Sequence, residues 1–259
     1  ITCLTRRRSR GEAGVISNKM NHIVNGNRGH YLDCLFHNLP GKQSKQKDKQ
    51  IAIETILDQH RPILLGIAEP QTEDLEKMRI GGYNLVKGTL KRGRKIRLNV
   101  FVKDGVDYKI ERFCSDIPAS LIKIGKFKFL MYYREWRREG KKDTDKMELQ
   151  ELRWLDFIDK VTKIKGPLVL MGDTNICDIY EDTVHQRSLG NMRDLVRDQL
   201  VGQGMTQMIK STTRHVPGHR AACLDHVYTR EGKNVVRTYN KNVTGFDHTM
   251  VGVRVRIDR

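Results

Sequence analysis

A chain of 259 residues is long enough for one large sandwich or barrel, or for two small domains. Its 48 Lys and Arg against 31 Asp and Glu leave a formal net charge of +17, which suits a polyanionic partner such as nucleic acid and disfavours a small-molecule substrate. No run approaches the ~20 apolar residues of a membrane span. The five cysteines (Cys3, Cys34, Cys114, Cys177, Cys223) are widely spaced and follow no secretory apolar segment, which points to a reducing compartment.

In chain order, residues 1–30 read as a polar arm opening with Arg6-Arg7-Arg8-Ser9-Arg10, either a nucleic-acid-binding or nuclear-targeting patch or a solvated tail. One domain is expected over 31–259, with no Pro/Ser linker and no repeat to divide it. Tyr31 to His37 predicts a strand ending at Asn38. Lys42 to His60 predicts a helix with Ile53, Ile56 and Leu57 on one side. Pro62 to Ala68 is the next strand and delivers Glu69. The middle predicts short strands at Tyr83–Val86, Ile96–Val102, Tyr108–Phe113, Ser120–Ile124 and Phe127–Tyr133, joined by Gly-containing turns. A long helix follows, with Leu149, Leu152, Leu155, Ile158 and Val161 as its apolar stripe and Asp145 with Glu148 as a capping box. Leu168 to Leu170 begins a strand, Asn191 to Val201 a helix, and Leu224–Thr229, Asn234–Tyr239 and Met250–Ile257 are the last strands. Two halves, each with strands and an outer helix, predict an α/β fold of two packed sheets flanked by helices. An open parallel sheet fits less well, because the middle is built from hairpins and no Gly-rich phosphate loop is present.

The chemistry concentrates at strand ends. Met171-Gly172-Asp173-Thr174-Asn175 follows an apolar run, and period-2 geometry predicts Asp173 and Asn175 on one face. Leu224-Asp225-His226-Val227 and Gly245-Phe246-Asp247-His248 repeat the pattern of an acid beside apolar residues, as does Ile67-Ala68-Glu69. Carboxylates, an amide and a histidine at strand ends suit metal-assisted attack of water on a phosphodiester.

The ordered set Asn38, Glu69, Tyr133, Asp173-x-Asn175, Asp225 and Asp247-His248 resembles the endonuclease/exonuclease/phosphatase superfamily. Within it, the chain is most similar to the apurinic-type endonuclease domains of non-LTR retrotransposons, over roughly residues 31–257. Thr206-Gln207-Met208-Ile209, Ser211-Thr212-Thr213-Arg214 and Leu224-Asp225-His226-Val227-Tyr228-Thr229 resemble successive motifs of those endonucleases. The resemblance implies a DNase I-like four-layer α/β sandwich with two mixed sheets flanked by helices. It implies Mg²⁺, with Mn²⁺ as an alternative, held by Glu69, Asn38 and Asp247, since hard oxygen ligands favour these ions over Zn²⁺. Asp173 would orient or deprotonate water, Asn175 would hold the scissile phosphate, and His248, kept protonated by Asp225, would bond the phosphoryl oxygen. Tyr133 would contact the phosphate or the departing oxygen. Hydrolysis would leave a 3′-hydroxyl and a 5′-phosphate on nicked duplex DNA, with a reverse transcriptase domain expected in the same polyprotein, a nuclear location and a monomeric isolated domain.

Departures from the family pattern are Thr174, Phe246, the absence of a proline in Tyr133-Arg134-Glu135-Trp136, and His37 before Asn38. Other readings stay open at this level. Asn38 could start the Asn38-Leu39-Pro40-Gly41 turn, Glu69 could be a helix N-terminal acid, and Tyr132 competes with Tyr133 because only one of them can face the site. His215, His219, Cys223 and His226 could be written as a zinc site, although His226 and Asp225 face opposite ways on a strand. Arg214, His215, His219 and Arg220 around Pro217-Gly218 suit a loop reaching a DNA groove, with Arg134 as a further DNA contact. The functional alternatives are an apurinic-site repair endonuclease, a 3′-exonuclease or RNA deadenylase, a phosphatase, and a binding module whose site has decayed.

Overall fold

The computed structural model describes residues 30–39, 46–70, 80–86, 91–92, 95–135, 144–179 and 187–257. The basic run Arg6–Arg10 lies outside them, as do residues 42–45 of the expected first helix. The elements are β1 (His30–Asn38), α1 (Gln46–His60), β2 (Leu64–Ala68), β3 (Tyr83–Leu85), β4 (Lys91–Arg92), β5 (Lys95–Ile96), β6 (Leu98–Lys103) and β7 (Lys109–Glu111). They continue with β8 (Ala119–Ile124), β9 (Phe127–Tyr133), α2 (Thr144–Thr162), β10 (Leu168–Asp173), α3 (Arg187–Gly202), β11 (Thr206–Gln207), β12 (Asp225–Thr229), β13 (Val235–Asn242) and β14 (Thr249–Ile257).

Two six-stranded sheets form, in the orders β13-β14-β1-β2-β6-β3 and β11-β12-β10-β9-β8-β7. Both are mixed: β1 pairs parallel with β2 and β9 parallel with β10, and the other pairs are antiparallel. Alternation along the strands decides the layering. Leu32, Cys34 and Phe36 of β1 face inward against Phe127, Phe129 and Met131 of β9, Val169 and Met171 of β10, and Val227 of β12. The residues between them face outward: Leu35 packs under Ile53, Ile56 and Leu57 of α1, while Leu130, Tyr132, Leu168 and Leu170 pack under α2 and α3. The four-layer sandwich expected from the sequence is therefore the architecture present.

The local differences have physical reasons. The expected strand Ile96–Val102 is two strands, broken at Arg97. The apolar stripe of α2 is Trp154, Phe157, Ile158 and Val161, all buried, whereas Leu149 and Leu152 are exposed. A strict three-residue repeat drifts around a 3.6-residue helix, so the predicted stripe spirals off the core, while the i, i+3, i+4, i+7 set stays on it. The helix also begins at Thr144, which puts Asp145 inside its first turn; the Asp145 side chain lies outside the described residues. Among the described residues, no helix is long and apolar enough to cross a membrane.

Candidate active site

Topology brings the strand-end residues together. The C-terminal ends of β1, β2, β9 and β10 lie at one end of the sandwich, and the antiparallel partners β12 and β14 begin there. Positions that carry apolar side chains further along each strand carry Asn38, Tyr133, Asp173 and Asp225 at this end, on the same inward face. The dry interlayer thus ends in a polar cleft. Sheet order sets the positions across it, with Asp225 and His248 on the β12/β14 flank, Asn38 and Asp173 in the middle, and Glu69 and Tyr133 on the β2/β9 flank.

Asp173 is fully buried at the centre. Its Oδ2 accepts Asn38 Nδ2 at 2.7 Å, and its Oδ1 accepts the Asn175 backbone N–H at 2.8 Å. Burial, together with the Asp225 carboxylate, pushes its pKa up to about 7. The preceding glycine is obligatory, because a Cβ on Gly172 would stand 2.2 Å from the Tyr132 carbonyl oxygen. Asn175 does not continue the strand. Its φ is +52°, and the chain turns there with the Asp173 side chain closing the turn. The expected shared strand face is corrected accordingly: Asn175 Nδ2 reaches Asp173 Oδ2 at 3.3 Å and the Arg134 carbonyl at 2.8 Å through the turn.

On one flank, His248 Nδ1 lies 2.8 Å from Asp225 Oδ2, with both side chains buried. Burial alone would lower the imidazole pKa, but the Asp225 carboxylate and its hydrogen bond, with Asp173 and Asp247 nearby, raise it to about 9. Asp173, Asp225 and His248 present ligand atoms all within 4.8 Å of one another, the one such His/Cys/Asp/Glu group among the described residues. The zinc reading of His215, His219, Cys223 and His226 therefore finds no support, and His226 instead contacts the Cys223 carbonyl at 3.2 Å on the other face.

On the other flank, the Tyr133 hydroxyl donates to Glu69 Oε1, and Arg97 Nη2 donates to the same hydroxyl at 3.3 Å. Burial and the Glu69 carboxylate raise the Tyr133 pKa. Tyr132 faces the other way, packs against Trp154 and Phe157, and pairs its hydroxyl with Thr174 Oγ1 at 2.7 Å. Of the two tyrosines, Tyr133 is the one in the cleft. Glu69 has φ +50°, a strained conformation for a residue with a side chain. Lys49 Nζ steadies this segment from α1 by donating to the Glu69 carbonyl at 3.2 Å and the Leu39 carbonyl at 3.3 Å.

Two predicted roles change. Arg134 is 2% exposed, so it is no DNA contact; it donates to the Thr174 carbonyl at 3.1 Å and lies over the Trp154 ring. Its burial lowers its pKa to about 10. Asp247 falls outside the group of ligand atoms within 4.8 Å of one another; Arg214 Nε donates to its Oδ2 at 3.0 Å, and its Oδ1 is buried without a hydrogen-bond partner among the described residues. The segment carrying Arg214, His215, His219 and Arg220 is a hairpin. Thr213 and Arg214 pair with Ala222, and Val216-Pro217-Gly218-His219 closes a turn with the Val216 carbonyl accepting the His219 N–H at 3.0 Å and Gly218 at φ +76°. The four side chains are exposed. The hairpin base is bonded to the site: buried Thr213 Oγ1 accepts the Leu224 and Asp225 N–H groups at 3.0 Å each, and the His215 N–H reaches the Asp247 carbonyl at 2.7 Å.

Lys49, Arg97 and Thr213 were not singled out from sequence. Lys49 carried a legible signal, a cation in register with Ile53 and Ile56 on the apolar face of a helix. Arg97 carried none, since its partners lie on other strands, and Thr213 stood within the Ser211–Arg214 motif without a role of its own.

Scans against family models and curated proteins find no match for the sequence. Among solved structures, the chain is similar to the endonuclease domain of TRAS1, a telomere-specific non-LTR retrotransposon, with a TM-score of 0.59 and 15% identity over 89% of this chain and 100% of that one. It is similar to an AP endonuclease from Leishmania major, with a TM-score of 0.66 and 11% identity over 88% of each chain. A 3′ phosphatase from Neisseria bound to a product DNA hairpin gives a TM-score of 0.62 and 14% identity over 88% of this chain and 100% of that one. The chain thus has the DNase I-like fold of endonuclease/exonuclease/phosphatase enzymes.

Proposed function

We propose that this chain is a metal-dependent DNA endonuclease that nicks duplex DNA by phosphodiester hydrolysis and leaves a 3′-hydroxyl. The observation that carries the reading is the buried Asp173–Asp225–His248 group at the sandwich end, flanked by Asn38, Glu69 and Tyr133. A divalent cation fits it. Asn38 Oδ1 and Asp225 Oδ1 are buried with no hydrogen-bond partner among the described residues, and an oxygen so placed costs about 1–3 kcal/mol unless a ligand takes it up. Carboxylate and amide oxygens suit Mg²⁺ or Mn²⁺. Glu69, Asn38 and Asp225 would hold the ion, and Asp247, whose Oδ1 is likewise buried without a hydrogen-bond partner, would remain a further oxygen donor. When bound, it neutralises phosphate charge and acidifies water.

The protein's own groups supply the rest. Asp173, at the centre of the group, accepts a proton from the attacking water at its carboxylate. Asn175 and Asn38 hold that carboxylate and orient it. His248 is held at Nδ1 by Asp225 and turns Nε2 to the phosphoryl oxygen, where negative charge builds. The bond from water oxygen to phosphorus forms as the bond to the 3′ oxygen breaks, that oxygen takes up a proton from solvent to become the 3′-hydroxyl, and Tyr133 would contact the phosphate or the departing oxygen.

Among enzymes of this fold, the motif resemblance over Thr206–Thr229 and the excess of Lys and Arg support intact duplex DNA, a nuclear site of action and a reverse transcriptase domain as partner. The test offers three labelled substrates in Mg²⁺: an intact duplex, a duplex with one abasic site, and a 3′-recessed duplex. Internal nicks in the intact duplex that stop on adding chelator are expected. Cleavage confined to the abasic site would transfer the assignment to repair, and shortening only from 3′ ends would transfer it to an exonuclease.

A further inference from the structure

Arg97 occupies the break between β5 and β6, and its carbonyl accepts the Glu69 N–H at 3.0 Å, so its backbone is tied to a cleft residue. Its guanidinium is ion-paired to Glu135, lies 5.2 Å from the Tyr133 ring centroid and bonds the Tyr133 hydroxyl at 3.3 Å. Arginine carries five N–H donors in a planar fork. Glu135 and Tyr133 occupy two directions of it, and among the described residues no further partner takes the others. The side chain keeps 16% of its surface exposed. Sheet order puts it three strands from His248, along β14-β1-β2-β6, on the opposite flank of the cleft.

We propose that Arg97 binds a DNA backbone phosphate on the Glu69–Tyr133 flank, next to the scissile one gripped by His248. The inference rests on the nuclease reading of the cleft. Glu135 and the Tyr133 ring hold the fork in place before DNA arrives, so little side-chain freedom is lost on binding, and the open N–H groups match phosphate geometry. Two phosphates held on opposite flanks would set the polarity of the strand across Asp173.

The experiment measures duplex binding against salt in an Asp173→Asn background with chelator, and nicking kinetics in the otherwise unaltered protein, for Arg97→Gln and Arg97→Lys. Arg97→Gln should bind about 10-fold or more weakly, with a salt slope smaller by about 1 and a raised KM. Arg97→Lys keeps the charge and loses the fork, so the slope should return while only part of the affinity does. A folded Arg97→Gln protein with parental affinity and slope overturns the proposal. So does a loss confined to kcat with a shifted Tyr133 phenol titration, which would mean that Arg97 only steadies the tyrosine. Should the Gln variant not fold, Arg97→Lys decides: weaker binding at unchanged slope supports the contact, and parental affinity overturns it. Because the binding arm needs no cleavage, the two readings fail separately. A wild-type protein that binds through Arg97 yet never nicks refutes the nuclease reading alone, and nicking indifferent to Arg97 refutes the contact alone.

Discussion

His248 shows how position sets chemistry at a single residue. Burial by itself would leave its imidazole neutral at pH 7, and Asp225 at 2.8 Å reverses that. A pKa raised from 6.5 to about 9 means that the folded state binds the proton more tightly than the unfolded chain. The stabilisation is therefore complete below about pH 6.5 and disappears as pH rises through 9. In an NMR titration of the metal-free protein, the His248 ring signals should titrate near 9 and move well down in Asp225→Asn; a midpoint that ignores this substitution would separate the pair. The acids and His248 were legible in the sequence because each sits beside an apolar run whose alternation forces its direction. Asn175 and Glu69 were legible as residues but not as conformations, since their positive φ values follow from turns closed by distant partners. Arg134 misled because its burial depends on Trp154, a contact made only when α2 packs on the sheet.

At the level of elements, the cleft depends on β10 lying close against β9. Gly172 permits this approach, with the Tyr132 carbonyl where a Cβ would stand. Gly172→Ala should destabilise the protein by about 3 kcal/mol or more, because a backbone carbonyl cannot rotate away as a side chain can. For a domain of this size that is a fall in Tm of about 6 °C or more in a thermal melt, with nicking reduced in the surviving folded fraction. An unchanged melt would mean that the two strands are not packed as described. Strand periodicity was readable here, and β9 has the predicted bounds Phe127–Tyr133. In α2 the three-residue spacing from Leu149 to Val161 is not one helix face, because it drifts around a 3.6-residue turn and leaves Leu149 and Leu152 exposed. The strand break at Arg97 had no local signal, since no glycine or proline marks it.

Across the whole molecule, one end of the sandwich holds both the carboxylate–histidine group and the hairpin that carries Arg214, His215, His219 and Arg220. On the proposed function, the division of labour follows from where charge can act: buried strand-end groups would do phosphate chemistry, and exposed loop cations would choose position on the duplex. Replacing His215–Arg220 by a short Gly/Ser turn should leave overall nicking within a few-fold of the parent while redistributing nick sites on a sequenced plasmid. An identical nick map would move target choice to the Arg92–Arg97 region or the basic N-terminal arm. Keeping Thr213 and Ala222 in the swap matters, because Thr213 holds the Asp225 backbone.

This cleft is proposed to hydrolyse phosphodiesters in duplex DNA to primer-competent ends. Supercoiled plasmid incubated in Mg²⁺ with the wild type, Asp173→Asn and His248→Ala, followed by polymerase extension of the relaxed product without end repair, tests it. Relaxation by the wild type, about 10²–10³-fold slower relaxation by either variant, and direct extension from the nicks are expected. Wild-type-like relaxation by both variants, or nicks that extend only after removal of a 3′-phosphate, would contradict it.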